Sequence, residues 1–371
     1  MTRLFFSAGE ASGDQHGAHL IEALRALDPA IECEGLGGTR MEAAGMTLRH
    51  DLAGRAIMGF VEIVRSFGFI RSVFMDTVGH LKRSRPDGLV VIDYPGFNIR
   101  LAQRAKAMGI PVVYYISPQV WAWKKGRIHT IAKAVKKMLV ILPFEKALYD
   151  KIGLDCAYVG HPLLDHLDSI DVKDTYTDGL VVGIMPGSRE QEIGRILGVM
   201  LEVARGIRER YPETLFVAPC VDEARAAQIR AMAGDFPLEV APGGMYEVLK
   251  GAHFCLVASG TATVETAVFE VPMAVIYKVR TPSYWLARLL VDVDAIAMVN
   301  ILAKKPIVRE FIQGEATVEN ILPVALELMD ESPARETMIQ ELKSIREMLS
   351  SGASENAARE ILSVIKGRND A

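Results

Sequence analysis

The sequence predicts an α/β chain built as two Rossmann-type, doubly wound parallel-sheet domains with a cleft between them, and three observations carry this. Short β-branched apolar runs alternate with helical patterns from one end to the other, as strand–helix–strand units require. The runs are apolar on both sides of the pleat, which suits strands covered by helices on both faces. At 371 residues the chain is long for one core and suits two domains of ordinary size.

In order, the strand candidates of the first half are "RLFFSAG", "DGLVVIDYPG", "IPVVYYIS", "KMLVILPF" and "DCAYVG". Those of the second half are "GLVVGIMPG", "TLFVAPC", "LEVAPGG", "HFCLVASG" and "PMAVIYK". Between them run periodic segments. Ile193, Ile196, Leu197, Met200, Val203, Ala204 and Ile207 recur at three and four, and Pro212 stops that helix. The polar stretch 168–179 reads as a linker between a first domain, 1–167, and a second, 180–345. "ETMIQELKSIREML" and "ENAAREILSVIKG" are helical with no strand after them, so 346–371 reads as a C-terminal helical segment.

Half the residues are hydrophobic and 24% are charged, which describes a globular chain. The net charge of −4 is unevenly spread. From Asp51 to Phe144 there are 15 Lys/Arg against 5 Asp/Glu, and no acidic residue lies between Asp93 and Glu145. A solvated basic face explains this as well as a surface that meets phosphates or lipid headgroups. Nothing in the pattern calls for nucleic acid. Four scattered cysteines without ligand spacing read as buried thiols in a reducing compartment. The N-terminus reaches Gly9 and Glu10 too soon for a signal peptide, and no run approaches eighteen apolar residues. A cytoplasmic location is expected. The eight histidines offer neither HxxxH nor HExxH, so no metal is expected. "DVD" at 292–294 imitates a metal-binding DxD but follows a helix, not a strand end.

Open parallel sheets bind ligands beyond the carboxyl ends of their strands, and four such ends are equipped. In "SAGEASGD", Gly9 and Gly13 bracket a turn that opens a helix. The G-x-G-x-x-G order of a nicotinamide site is missing, and Glu10, Ser12 and Asp14 make a substrate-facing loop, with a plain tight turn as the alternative. In "LVVIDYPGFN", Asp93 follows four apolar residues. Partial burial there raises a carboxylate's pKa and suits it to proton abstraction; a capping aspartate is the competing reading. In "IMPGSREQEI", Ser188 with Gln191 matches a capping box, so a helix begins there. Its unpaired amides, Gly187 and the fork of Arg189 form a diphosphate seat, unless Arg189 is only a surface residue. In "VASGTATVETA", Ser259, Gly260, Thr261 and Thr263 suit phosphate, and Glu265 one turn in could accept from ribose hydroxyls.

The stretch "IMGFVEIVRSFGFIRSVFMDTVGHLKRSR" is dense in Phe, Ile, Val and Met, with Arg65, Arg71, Lys82, Arg83 and Arg85 interleaved. Buried helices also look like this. Phe67 and Phe69 there, with Trp121, Trp123, Lys124, Lys125 and Arg127 in "SPQVWAWKKGR", combine aromatics and cations as a bilayer interface does.

The motifs "GEASGD", "IMGFVE", "DYPGFN", "SPQVWAW", "LPFEK", "VGHPL", "PGSR" with "QEI", "ASGTATVE" and "NIL" occur in one order over essentially the whole chain. In this the sequence resembles the lipid-A-disaccharide synthases, bacterial inverting glycosyltransferases of the GT-B architecture. The resemblance implies UDP-2,3-diacylglucosamine as donor and 2,3-diacylglucosamine 1-phosphate as acceptor. The implied products are the β(1→6) disaccharide and UDP, without metal or cofactor. Where some members carry a second Asp in the "D-x-P" stretch, this chain has Gly96. The second domain is then expected to hold UDP through Ser188–Arg189 and Ser259–Glu265, with Asn300 a weaker candidate. The first is expected to take the acylated sugar phosphate from the anionic inner face of the cytoplasmic membrane. Asp93 is the chosen base and Arg189 the leaving-group stabiliser, although Glu10 and Asp14 also compete for the base's role. Self-association is compatible with the sequence. A UDP-sugar 2-epimerase of the same architecture and a non-catalytic peripheral lipid-binding protein are the rival readings.

Overall fold

In the computed structural model the described residues are 1–54, 60–121, 126–279 and 295–369, with the side chains of 60–67 and 368–369 outside the description. The chain divides into two compact units, 1–166 with 349–371, and 167–348.

Among the described residues the first unit carries seven parallel strands, β1 (Arg3–Ala8), β2 (Glu32–Gly37), β3 (Thr47–Asp51), β4 (Gly88–Ile92), β5 (Val112–Tyr115), β6 (Lys137–Val140) and β7 (Cys156–Tyr158). They lie in the order β3-β2-β1-β4-β5-β6-β7. Among the described residues the second unit has six, β8 (Val181–Met185), β9 (Leu215–Cys220), β10 (Leu238–Pro242), β11 (Phe254–Ala258), β12 (Met273–Tyr277) and β13 (Arg309–Ile312). Their order is β10-β9-β8-β11-β12-β13, again all parallel. All ten expected strands are present. The three additional ones, β2, β3 and β13, are polar or glycine-rich, and β3 and β13 lie at sheet edges.

The connecting helices of the first unit are α1 (Ala11–Leu27), α2 (Thr39–Ala43), α3 (Phe60–Ser84), α4 (Pro95–Ala107), α5 (Arg127–Ala134), α6 (Pro143–Asp150) and α7 (Pro162–Ser169), whose final residues pass into the second unit. The second unit contains α8 (Glu190–Arg210), α9 (Glu223–Ala233), α10 (Met245–Gly251), α11 (Ala262–Val268), α12 (Met298–Ala303), α13 (Val318–Met329) and α14 (Pro333–Met348). Helix α8 buries Ile193, Ile196, Leu197, Met200, Val203, Ala204 and Ile207, the periodic set read from the sequence, and ends at Arg210 before Pro212.

The last helix, α15 (Ala353–Asn369), does not form a piece of its own. It packs on α1 and places Ala357, Ala358, Ile361, Leu362 and Ile365 in the core on one face of the first sheet. Asp165 secures its start, accepting from the backbone N–H groups of Gly352, Ala353 and Ser354 at 2.5, 3.1 and 3.1 Å. A carboxylate at these amides satisfies helix-end donors and complements the helix dipole. Of the expected linker 168–179, the first residues end α7 and the rest lie along the second unit, where Lys250 Nζ donates to the Val172 carbonyl and Tyr176 donates to Glu239.

The oily stretch is corrected in its described part. From residue 69 on, Phe69, Ile70, Val73, Phe74, Val78 and Leu81 line one face of α3 and pack on the first unit's core. Arg71, Met75, Lys82 and Arg83 occupy the solvent side. Phe69 is therefore half-buried against that core, and the spacing of its neighbours is a helix's buried stripe. The side chain of Phe67, and Trp123, Lys124, Lys125 and the "DVD" stretch, lie outside what is described. No helix among the described residues is long and apolar enough to cross a membrane. All four cysteines are buried free thiols.

Candidate functional site

Both sheets reverse strand order once, between β1 and β4 and between β8 and β11. At such switch points adjacent strands send their following helices to opposite faces, and a crevice opens at the carboxyl ends. The four loops singled out from the sequence follow β1, β4, β8 and β11. The topology thus places the loops of Glu10 and Asp93 after adjacent strands in one unit, and those of Arg189 and Ser259 after adjacent strands in the other.

In the first unit, Asp93 and Tyr94 both adopt left-handed backbone, φ +41° and +47°. Two consecutive non-glycine residues in this region are costly and need outside support. Asn98 supplies it, although it was not singled out from the sequence. It is fully buried on α4, and its amide nitrogen lies 3.1, 3.1 and 2.8 Å from the carbonyl oxygens of Ser7, Ile92 and Asp93. Ser7 donates its hydroxyl to Asn98 Oδ1 at 2.7 Å, and Tyr114 donates to the Asp93 carbonyl at 2.7 Å. The turn that aims Asp93 is thereby tied to β1, β4 and β5. Gly9 runs flush beneath the Tyr94 ring, where a Cβ would meet ring carbon at 2.3 Å.

The Asp93 carboxyl is pushed up to about 6, first by burial and then by the charge of Glu10, against a hydrogen bond from the Tyr94 N–H. Glu10 and Ser12 are exposed beside it, and Gly13 is buried against Ala8. Asp14 is different, and its expected place among ligand-facing groups is corrected. It is 5% exposed and accepts from the N–H groups of Gly38, Arg40 and Met41 at 2.8, 3.1 and 3.1 Å. Both oxygens are committed to the start of α2, which leaves Asp93 and Glu10 as the carboxylates at this edge.

Two strands from Asp93, after β6, sits Glu145, another residue not singled out. It is 2% exposed, Trp121 donates to its Oε1 at 3.2 Å, and burial pushes it up to about 8. Trp121 also packs edge-on against Phe144. It is half-buried, held by these two contacts. Arg127, half-buried, opens α5.

In the second unit the expected capping box shifts by one residue. Arg189, not Ser188, is the N-cap of α8, and Glu192 rather than Gln191 reaches back to the Arg189 N–H. The Arg189 side chain is 69% exposed and its Nη1 lies 3.1 Å from Glu192 Oε1. Gly187 takes φ +105°, and a Cβ there would meet Glu192 Oε2 at 2.8 Å. Glycine is required for the chain to enter α8.

After β11, Gly260 and Thr261 are exposed, and a Cβ at Gly260 would meet nothing within 4 Å, so the loop offers open space. Thr263 is buried and donates to the Gly260 carbonyl at 2.8 Å. Ser259 donates to the Ile296 carbonyl at 3.3 Å. Glu265 is half-buried and held above its ordinary range by burial, opposed by a hydrogen bond from Tyr246.

Asn300 is corrected from ligand contact to internal support. It is 3% exposed, accepts at Oδ1 from the N–H groups of Ile307 and Val308, and donates to the Val308 carbonyl and Glu310. Glu310 in turn accepts from the Ile296 N–H, whose carbonyl meets Ser259. Asn300 is linked to the loop through that chain. Among the described residues no cluster of His, Cys, Asp or Glu could hold a metal ion.

A family model described as lipid-A-disaccharide synthetase matches residues 4–364. The lipid-A-disaccharide synthase of Syntrophus aciditrophicus is 40% identical over 97% of this chain and 97% of its own. That of Nitrosococcus oceani is 38% identical over 98% of this chain and 96% of its own. Among solved structures, an S. aureus MnaA–UDP complex superposes with a TM-score of 0.68 at 14% identity, covering 100% of this chain and 97% of the other. The spinosyn forosaminyltransferase SpnP gives 0.62 at 14% identity, covering 99% of each. These distant likenesses show the fold, the GT-B arrangement of glycosyltransferases and related epimerases.

Proposed function

Because the chain belongs to the lipid-A-disaccharide synthetase family, we propose that it transfers the 2,3-diacylglucosamine group of its UDP derivative to 2,3-diacylglucosamine 1-phosphate, with inversion and without a metal. The observation that carries the residue roles is the placement of a single half-buried, pKa-raised carboxyl, Asp93, at the switch point of the first sheet.

The acceptor's 6-hydroxyl attacks the donor's anomeric carbon as the bond to the UDP oxygen breaks. Asp93 takes the hydroxyl proton, and its pKa near 6 leaves it ionised yet basic at neutral pH. Glu10 raises that basicity from the neighbouring strand end. The charge developing on UDP is met by Arg189 and the amides that open α8. The Arg189–Glu192 pair is so exposed that it contributes at most about 1 kcal/mol to the fold. A diphosphate can therefore take over the guanidinium at small cost. Hydroxyls and amides at Ser259–Thr261 bind phosphate, and Glu265 accepts from the ribose. The protein docks reversibly on the inner face of the cytoplasmic membrane, drawn by the basic side of α3 at Arg71, Lys82 and Arg83.

The test is to supply both acyl-sugar substrates and follow UDP and disaccharide by mass spectrometry, with and without chelator. Coupled appearance of UDP and a β-linked disaccharide, unaffected by chelation, is expected. Conversion of the donor to its 2-epimer with no need for acceptor would instead establish the epimerase reading.

A further inference from the structure

We propose that Tyr246 is a positioning residue for the donor nucleotide, holding Glu265 in the orientation in which its outer oxygen receives the ribose hydroxyls. The inference rests on the assignment of Glu265 to the ribose and goes beyond it. Tyr246 lies on α10, which follows the edge strand β10, and Glu265 lies on α11, which follows β11 at the switch point. The tyrosine hydroxyl donates to Glu265 Oε1 at 3.1 Å. Its ring stacks on Phe269, the residue that caps the C-terminus of that helix one turn beyond Glu265, with centroids 6.0 Å apart and planes 15° from parallel.

These two contacts fix both ends of the arrangement. The stack sets where the phenol sits, and the hydrogen bond sets which oxygen of the carboxylate faces inward. A glutamate has three side-chain torsions, and an unanchored one would have to surrender them when a ribose diol binds. Ordering such a side chain in advance is worth about threefold to tenfold in affinity. The bond also opposes the burial that favours protonation of Glu265. Burial and the neighbouring carboxylate push the phenol of Tyr246 well up, so it stays a donor throughout the working pH range.

A structural contact between α10 and α11 predicts a different outcome from a positioning one, and nucleotides that lack the diol separate the two. Binding of UDP and of 2′,3′-dideoxy-UDP is measured by calorimetry for the full-length wild type, Tyr246→Phe and Glu265→Gln. Tyr246→Phe keeps the ring stack and removes only the hydroxyl. UDP affinity should fall threefold to tenfold while dideoxy-UDP affinity stays within twofold, and the loss should appear in donor KM more than in kcat. Equal weakening of both nucleotides, or of neither, overturns the inference. If Glu265→Gln binds both nucleotides as wild type does, the ribose assignment fails first and the inference falls with it. If only Glu265→Gln loses discrimination between them, the assignment stands and the role of Tyr246 is refuted.

Discussion

Replacing Asp93 by asparagine should separate the carboxylate's chemistry from its cost to the fold. Burial and Glu10 move its pKa from 3.8 to about 6. A carboxyl raised in this way remains protonated in the folded chain at pH values where unfolded chains have already ionised. Stability is untouched by the shift below pH 3.8, declines as pH rises to 6, and carries a constant penalty above that. Two pKa units correspond to about 3 kcal/mol, and the partial exposure of the side chain reduces this toward 1–2 kcal/mol. Asparagine cannot ionise and escapes the penalty. At pH 8 Asp93→Asn should melt higher, by about 2–4 °C for each kcal/mol in a unit of this size, whereas near pH 4 the two melting curves should coincide. Transfer should meanwhile fall by about 10²–10⁴-fold with UDP affinity retained, and the wild-type rate should drop on the acid side of pH 6. Thermal melts at both pH values with initial rates from the same preparations test it. A variant no more stable at pH 8 would show that Asp93 is not desolvated, and near wild-type turnover would show that it is not the base.

Arg189→Ala should lower kcat/KM by about 10–100-fold, the range of one charged hydrogen-bonding group, with an unchanged melting temperature; Arg189→Lys should rescue it only partly because an ammonium lacks the fork. Equal kcat/KM in wild type and alanine variant would move the diphosphate seat elsewhere. Gly9→Ala should cost about 1–3 kcal/mol by pushing Tyr94 out of place and impair transfer, while Gly13→Ala, whose Cβ would meet its nearest neighbour at 3.4 Å, should be tolerated; chemical denaturation of both variants compares them. Asn300→Ala should destabilise by about 2–4 kcal/mol, because it strands the Ile307 and Val308 amides and Glu310. Lost UDP affinity in an Asn300 variant of undiminished stability would restore Asn300 as a contact. Sedimentation with anionic vesicles should capture the protein at low salt and release it as ionic strength rises; protein left in the supernatant at low salt contradicts membrane docking.

The strands were legible because each central one is a continuous apolar run, and a run of that kind has few alternatives to a covered sheet. β2, "ECEGLG", and β3, "TLRHD", lack the run, and only pairing with β1 and β2 makes them strands. The ligand-facing edges were legible because a polar cluster directly after such a run has to emerge at the carboxyl end. What the pattern could not show was which way each polar side chain turns. Asp14 and Glu10 are four residues apart, yet one caps α2 while the other stays in solvent. Glu145 and Tyr246 depend on partners many residues distant, and Asn98 on Ser7 as well as on its neighbours Ile92 and Asp93, so little in the local sequence marks them. An asparagine five residues after a strand-end aspartate was the only local hint of Asn98. The aromatic, basic stretch left two readings open because a helix's core-facing stripe and a membrane-facing stripe have the same period.

The tail's place on α1 has a consequence for how the chain is made. The first unit is a discontinuous domain, interrupted by the 182 residues from 167 to 348. A ribosome adding about 5–20 residues per second needs on the order of 10–40 seconds to cross that insertion. Throughout, one flank of the nascent first sheet lacks Ile361 and Ile365, and Gly88, against which Ile365 closes, stays uncovered. The second unit is continuous and can close as soon as it emerges. Vectorial synthesis therefore completes the later-encoded unit first and leaves the earlier one as a sticky intermediate, the form on which a trigger-type chaperone would have most to hold.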